Sequence, residues 1–402
     1  MPSRLAAGNV CALATESGPG RATLGAIAFS FLKLGTLAFG GPAVHIAMME
    51  EEFVRRRRWL TPQEFLDRLG AANLIPGPSS TEMAIYIGQN QRGWLGLIVA
   101  GCCFILPAAV LVCGIAVAYV RYGALPQVAG VLYALKPVVM AVVLQALWKL
   151  GRSAVKTRLL AAIGVIAAVA FALGVYDLLV LAGAGLCAAS PTISERLRKT
   201  QVSSAITLFA LKLKSVVLSF AAISGFAAVP FSPGRLFLTF LKIGSVLFGS
   251  GYVLLAFLRS DFVLRLHWLT EKQLLDAVAV GQITPGPVFT TATFIGYLLG
   301  GLRGAIVATV GIFLPGFLLV AASGALIPRI RQSVIAGAAL DGIIVGSLAL
   351  MAVVTWQLGR AALVDPLTIV IACVSAVLLF AFRLNAAWLI LGAALVGVLH
   401  GA

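Results

Sequence analysis

Hydrophobic positions in this chain fall in runs too long for a globular core. Trp94 to Val117 and Val128 to Leu147 are almost unbroken apolar stretches. At 1.5 Å per helical residue, such runs are suited to the ~30 Å hydrocarbon layer of a bilayer. After a tail at residues 1–23, the pattern predicts a membrane segment near 24–43 and a charged amphipathic stretch from Glu50 to Leu69. A short interrupted segment at 71–90 follows, then long spans near 94–119 and 128–150, and short apolar pieces at 159–175 and 177–189. The order recurs near 235–256, 272–299, 303–325, 335–358, 366–382 and 385–400. A basic linker, Arg196 to Lys214, and an extra apolar piece at 216–230 separate the two series.

The recurrence extends to residue identity. Phe31-Leu32-Lys33-Leu34-Gly35 returns as Phe240-Leu241-Lys242-Ile243-Gly244, an offset of 209 at which Phe39-Gly40, Trp59-Leu60-Thr61, Asp67 and Pro76-Gly77-Pro78 also recur. After a slip of one residue, Ile87-Gly88, Pro107 and Leu150-Gly151-Arg152 recur at an offset of 208. The chain therefore divides into a first repeat at 24–190, a linker at 191–232 and a second repeat at 233–402. Internal repetition in an apolar chain marks a secondary transporter, with its site where the two copies meet.

Composition agrees with a membrane protein. Of 402 residues, 60% are apolar and 11% charged, against about 25% charged in a soluble domain; the mean hydropathy is +1.03. The net charge of +16 would suggest nucleic acid in a soluble protein. Here the basic residues lie mostly in short connections, so they read as orientation signals, with a lesser part in gathering anions. The six cysteines form no CxxC pair and sit mainly in apolar runs, so neither a disulfide framework nor a metal site is expected. There is no GxxxxGK[ST], GxGxxG or HExxH motif, and no cofactor is implied.

Lysine and arginine counts bear on orientation. The connection after the first segment carries Arg55, Arg56, Arg57, Arg58 and Arg68 against Arg259, Arg265 and Lys272 in the second copy. The group Lys149, Arg152, Lys156 and Arg158 faces Arg360 alone, while Arg121 faces Arg329 plus Arg331, and Asp177 faces Arg383. The bias alternates, which predicts inverted copies. If 71–90 re-enters without crossing, each copy crosses five times. If it crosses, each copy has six segments and 216–230 is a thirteenth. The expected fold is an all-α polytopic membrane protein of two homologous repeats, inverted in topology, with helices broken at Pro-Gly-Pro.

The breaks carry the candidate chemistry. Proline removes a backbone donor and glycine frees the backbone, so Pro76-Gly77-Pro78 and Pro285-Gly286-Pro287 must interrupt helices. Irregular backbone at membrane depth persists only against protein or a wet cavity. Ser79, Ser80 and Thr81 follow the first break and Thr290 and Thr291 the second, offering hydroxyls and N–H groups to an anion at a helix start. The alternative is an ordinary capped turn. Asn73 and Gln282, three residues before each break, are amide donors either to an oxyanion or to freed backbone. Lys33 and Lys242, in apolar surroundings, supply matched positive charge for a dianion or else snorkel to the interface. Gly40-Gly41-Pro42 and Gly249-Ser250-Gly251 either unwind the first segment of each copy or let helices pack closely. His45 and Glu82 occur in the first copy alone and are candidate proton carriers, against the plainer roles of interior residue and helix cap. Asp341 is a weaker relay candidate.

These motifs resemble the chromate ion transporter family over nearly the whole chain. The resemblance rests on Phe-Gly-Gly-Pro at 39–42, Val44-His45-Ile46-Ala47, Arg58-Trp59-Leu60, Pro-Gly-Pro-Ser-Ser-Thr-Glu-Met at 76–83, Cys103 to Ala108 and Tyr119 to Gly123. The second copy resembles the partner domain through Phe248-Gly249, Trp268 and Pro285-Gly286-Pro287, but has Gly249-Ser250-Gly251 where the first has Gly-Gly-Pro. The resemblance implies a long, two-domain member that exports chromate across the bacterial inner membrane, driven by the proton gradient, with sulfate competing. The residues alone leave open an importer of sulfate or another oxyanion, a passive anion channel, and a cysteine-based chromate reductase. They also leave open whether the protein is a monomer or a homodimer. Its other partner is the lipid bilayer; nucleic acid is not expected.

Overall fold

The computed structural model describes residues 22–123, 125–200, 230–248, 251–382 and 384–401, without the side chains of 127, 194–200, 324–332 and 400. Residues 1–21 of the expected tail, most of the linker with its apolar piece, and Gly249 with Ser250 lie outside the described residues. Every regular element among the described residues is helical.

The first repeat begins with α1 (Leu24–Leu37), capped by the Thr23 hydroxyl accepting from the Ala26 amide. Gly40 and Gly41, at φ 111° and 84°, turn the chain into α2 (Pro42–Glu50), which runs on into a π-helical turn at Glu51–Arg56. A reciprocal cap between Thr61 and Glu64 opens α3 (Pro62–Ala72). Pro76-Gly77-Pro78 then leads into α4 (Ser79–Tyr122), which kinks at Arg92–Gly93 into limbs 79–91 and 94–122. The repeat closes with α5 (Pro126–Ala154), α6 (Arg158–Ala172) and α7 (Asp177–Thr200).

Three hydrogen bonds show where these limbs start and finish. The Ala22 amide donates to Gln91 Oε1 at 3.1 Å, Gln91 Nε2 to the Trp59 carbonyl at 3.0 Å, and Arg92 Nε to the Ala22 carbonyl at 2.6 Å. The start of α1, the end of the α2 limb and the end of limb 79–91 therefore share one face. At about 21 Å, 14-residue α1 is shorter than the ~30 Å apolar layer. Two re-entrant hairpins result, one turning at Ala38–Gly41 and the other at Pro76–Pro78. The sequence pattern offers re-entry as one of two options for 71–90. It reads 24–43 as a single segment, and there the structure differs: the Gly40-Gly41 break sends the chain back, with Phe31 and Phe53 rings 4.9 Å apart between the two limbs.

The second repeat copies this plan with α8 (Pro233–Val246), α9 (Leu254–Leu258) and its π turn at Arg259–Arg265, then α10 (Glu271–Ile283), α11 (Thr291–Gln332), α12 (Val334–Ala362), α13 (Pro366–Phe380) and α14 (Ala386–Gly401). Helix α11 kinks at Gly300–Gly301, matching Arg92–Gly93. Even the unusual positive φ of Arg58, 53°, recurs at His267. Stretches of α4, α5, α11 and α12 are long and apolar enough to cross a membrane.

Contacts between α5 and α12 reveal relative direction. Lys156, just past the end of α5, pairs with Asp341 near the start of α12 at 2.9 Å, and Met140, earlier on α5, lies beside Gly359 near the end of α12. As numbering rises along one helix it falls along the other, so these equivalent helices run antiparallel. The repeats are inverted. They also interlock, because α5 is gripped by α13 and α14 of the second repeat while α12 is gripped by α6 and α7 of the first. Arg92 and Arg68 bond to Ala22 and Asn90 on the face where α1 begins, Arg55–Arg58 precede Trp59 there, and α5 returns to it at the Lys149–Arg158 group; it is called the basic face below.

Candidate functional site

The hairpin tips of the two repeats meet inside the molecule. The Gly77 amide donates to the Leu247 carbonyl at 2.8 Å, and the Gly286 amide donates to the Ala38 carbonyl at 2.9 Å. Residues 77 and 286, like 38 and 247, are related by the repeat offset, so one contact is the symmetry mate of the other. Each Pro-Gly-Pro break thus satisfies the free carbonyl at the end of the opposite repeat's first helix. Pro76, Pro78, Pro285 and Pro287 flank these donors.

Two single-copy titratable residues stand beside these contacts. His45 is buried, and its Nε2 lies 3.0 Å from the same Ala38 carbonyl that accepts from Gly286. A carbonyl only accepts, so Nε2 carries the hydrogen and Nδ1 is left without a partner. Glu82 is fully buried on the first turn of limb 79–91, and neither carboxylate oxygen has a hydrogen-bond partner. Its carboxyl group fills the space over Gly77, where a Cβ would collide with it, and it lies near Gly316 of α11. The repeat substitutes Leu254 for His45, and hydroxyl residues for Glu82.

The two breaks differ in free polar groups. Thr81 is buried with an unpartnered hydroxyl, Ser80 is buried beside it and Ser79 is half-buried. The Thr81 and Glu82 amides both return to the Pro78 carbonyl. On the second side, Thr290 and Thr291 are buried, and their hydroxyls donate to the Pro287 and Val288 carbonyls, each at 2.8 Å. The expected donors after the second break are therefore engaged by the backbone that the break exposes. Asn73 is exposed at the end of α3, whereas Gln282 lines a small cavity with Tyr252 and Thr291. The Tyr252 hydroxyl also lies beside Gly41, and Asn385 beside Gly40, so the α1–α2 tip touches the second repeat.

The matched lysines have different surroundings. Lys33 is exposed along a cavity of about 570 Å³ with Glu51, Glu52 and Arg56. Lys242 is held by Asp261, with Nζ 2.7 Å from Oδ1, and lies 3.9 Å from Asp177 and 3.3 Å from the Tyr176 hydroxyl. Asp261 is the repeat mate of Glu52. In the first repeat Arg57 occupies Glu52 at 2.6 Å; the corresponding position in the second is Leu266, which leaves Asp261 to Lys242 and to Arg265 at 2.9 Å. The two matched lysines are therefore unlike in their surroundings: Lys33 is open to a cavity and Lys242 is paired with buried acid. Asp341 is bound to Lys156 at 2.9 Å.

Sequence reasoning did not single out the ion pair of Lys136 with Asp276 at 3.0 Å, or the Tyr119 hydroxyl donating to the same aspartate at 2.9 Å. The signal available was the recurrence of Asp67 at Asp276, which served only to fix the register of the repeat.

Comparison with known proteins matches this architecture. A family model described as Chromate transporter fits the chain twice, at residues 25–189 and 234–398. A chromate transport protein of Cupriavidus metallidurans is 31% identical over 99% of this chain and 96% of its own length. One from Pseudomonas aeruginosa is 31% identical over 91% of this chain and 90% of its own. An uncharacterized Bacillus subtilis transporter is 34% identical over 32% of this chain and 64% of its own length. No solved structure matches the chain.

Proposed function

The chain belongs to the chromate transporter family, and from that premise we propose that it exports chromate from the cytoplasm in exchange for protons. It is a multi-pass membrane transporter rather than an enzyme. The basic face is taken as cytoplasmic by the positive-inside rule, in a bacterial inner membrane. Sulfate, an oxyanion of equal charge and similar shape, is expected to compete.

The observation carrying the coupling is the position of His45 and Glu82. Each abuts one of the two tip contacts, Gly286 to Ala38 and Gly77 to Leu247. A buried ionisable group without a partner is costly in a membrane protein and marks a functional place. We assign proton binding to these two residues, so that protonation alters the tips across which the repeats rock. For the anion we assign Lys33, Gly40, Gly41 and the Ser79–Thr81 turn. The Thr81 hydroxyl supplies a donor, while Lys33 gathers anions from its cavity. Asn73, Gln282, Thr290 and the prolines shape the breaks, and Lys242 keeps the α8 hairpin in place through Asp261.

The test is radiolabelled chromate accumulation in inside-out vesicles, with and without an uncoupler and excess sulfate. Accumulation abolished by the uncoupler and reduced by sulfate is the expected result. The Glu82→Gln variant is expected to lose gradient-driven accumulation while retaining chromate exchange. Uncoupler-insensitive flux in the unaltered protein would indicate a channel, and accumulation in right-side-out vesicles an importer; either overturns the export reading.

A further inference from the structure

The inverted repeats are equivalent in sequence register but not in closure. Helix α10 of the second repeat packs onto α5, and Asp276 within it is fully buried between Lys136 and Tyr119. Residues 274–281 of α10 are buried without exception. Its counterpart α3 is far more open. Leu66 is 59% exposed where its mate Leu275 is 3%, and Asp67 is exposed where Asp276 is 0%. A cavity of about 600 Å³ lies between the end of α3, at Gly70 and Leu74, and the start of α12, from Ser333 to Asp341.

Inversion turns this difference into sidedness. The open cavity lies towards the basic face, because α3 enters from there and Asp341 is bound to Lys156 of that face. The closed contact lies towards the opposite face, near the end of limb 94–122 and the start of α5. Helix 3 of one repeat and helix 5 of the other therefore make the same approach on both sides, parted on one and sealed on the other. The chemistry of the seal is also unequal. Ile344 stands where the repeat register would place the counterpart of Lys136, so α12 offers no lysine at that position.

We propose that Asp276, clasped by Lys136 and Tyr119, is the latch of the extracytoplasmic gate, and that this clasp parts once per transport cycle. The structure is the state loaded from the basic face. A buried ion pair of this kind contributes little net stability but strongly disfavours separation of one partner from the other. That makes it suited to holding one gate shut until the opposite gate closes. Removing the cation leaves a buried carboxylate whose cheapest remedy is hydration, so the gate should open. The latch is independent of which anion is carried.

Thiol accessibility tests the latch without using chromate. Gly337→Cys reports the open side, since a Cβ there meets nothing within 4 Å. Ile283→Cys, the mate of Leu74, reports the sealed side. A membrane-impermeant maleimide is applied to inside-out and right-side-out vesicles, with the chain lacking either added thiol as baseline. Expected are rapid labelling of Gly337→Cys from the basic face and slow labelling of Ile283→Cys from the other. Adding Lys136→Met should slow the first and speed the second, each several-fold. Tyr119→Phe, which removes one hydrogen bond and keeps the ring, should shift both rates the same way by less, and serves if Lys136→Met fails to insert. Equal labelling of the two thiols before any latch change, or rates unmoved by both latch variants in inserted protein, would overturn the proposal.

Discussion

The Gly77 amide donates to the Leu247 carbonyl at 2.8 Å, from the Pro-Gly-Pro break of one repeat to the last turn of the first helix of the other. Its mate, Gly286 to Ala38, repeats the contact under inversion. At membrane depth neither carbonyl has bulk water as an alternative partner, and an unsatisfied backbone group there costs several kcal/mol. The two hairpin tips are thus held together by the groups that their own breaks leave free.

Gly77→Ala tests this junction. Gly77 has φ 138°, and an added Cβ would collide with the Glu82 carboxyl group. We expect the variant to reach the membrane but to lose nearly all chromate accumulation in vesicles. Transport near the unaltered level would show that the Glu82 position over the tip is unimportant.

The two lysines should respond differently to truncation. Lys242→Met leaves Asp261 buried with Arg265 as its remaining cation at 2.9 Å, and breaking a buried pair costs about 3–5 kcal/mol. Its expected signature is a lower melting transition in detergent and less protein in the membrane. Lys33→Met, at an exposed site, should leave melting unchanged and reduce transport. Matching stability losses in both variants would contradict the difference in environment.

Asp365 gives a pH dependence outside the spanning segments. The Tyr133 hydroxyl donates to its carboxylate, the Thr368 amide adds a second hydrogen bond at 2.9 Å, and together they hold its carboxyl below the usual carboxylate range. A carboxyl depressed on folding contributes stability above its unfolded value and loses it as pH falls through the folded one. Tyr133→Phe should therefore lower the melting temperature at pH 7, and the gap should narrow on acidification below about pH 4. A gap constant with pH would assign Tyr133 a packing role only.

The repeat, the breaks and most helix bounds were legible from the chain, since they depend on local covalent properties. Apolar run length bounds a span, proline lacks a donor, glycine accepts φ above zero, and Thr61 with Glu64 writes its own cap. The long helices α4, α5, α11 and α12 lie close to where the apolar runs place them. Less legible was the return of 24–43 to its own face. Gly40-Gly41 permits that turn, but burial of Phe31 against Phe53 and the grip of Gly286 on Ala38 make it a hairpin.

What only tertiary structure decided is which equivalent residues became unlike. Phe-Leu-Lys-x-Gly reads the same at Lys33 and Lys242, yet Arg57 against Leu266 determines whether the nearby acid is left for the lysine. Asp67 and Asp276 are equally matched in register, and only the approach of Lys136, 140 positions away, buries one of them. The sequence by itself determined two inverted copies with a break in each. Charge pairing between distant segments, which local pattern does not encode, decided which gate is shut.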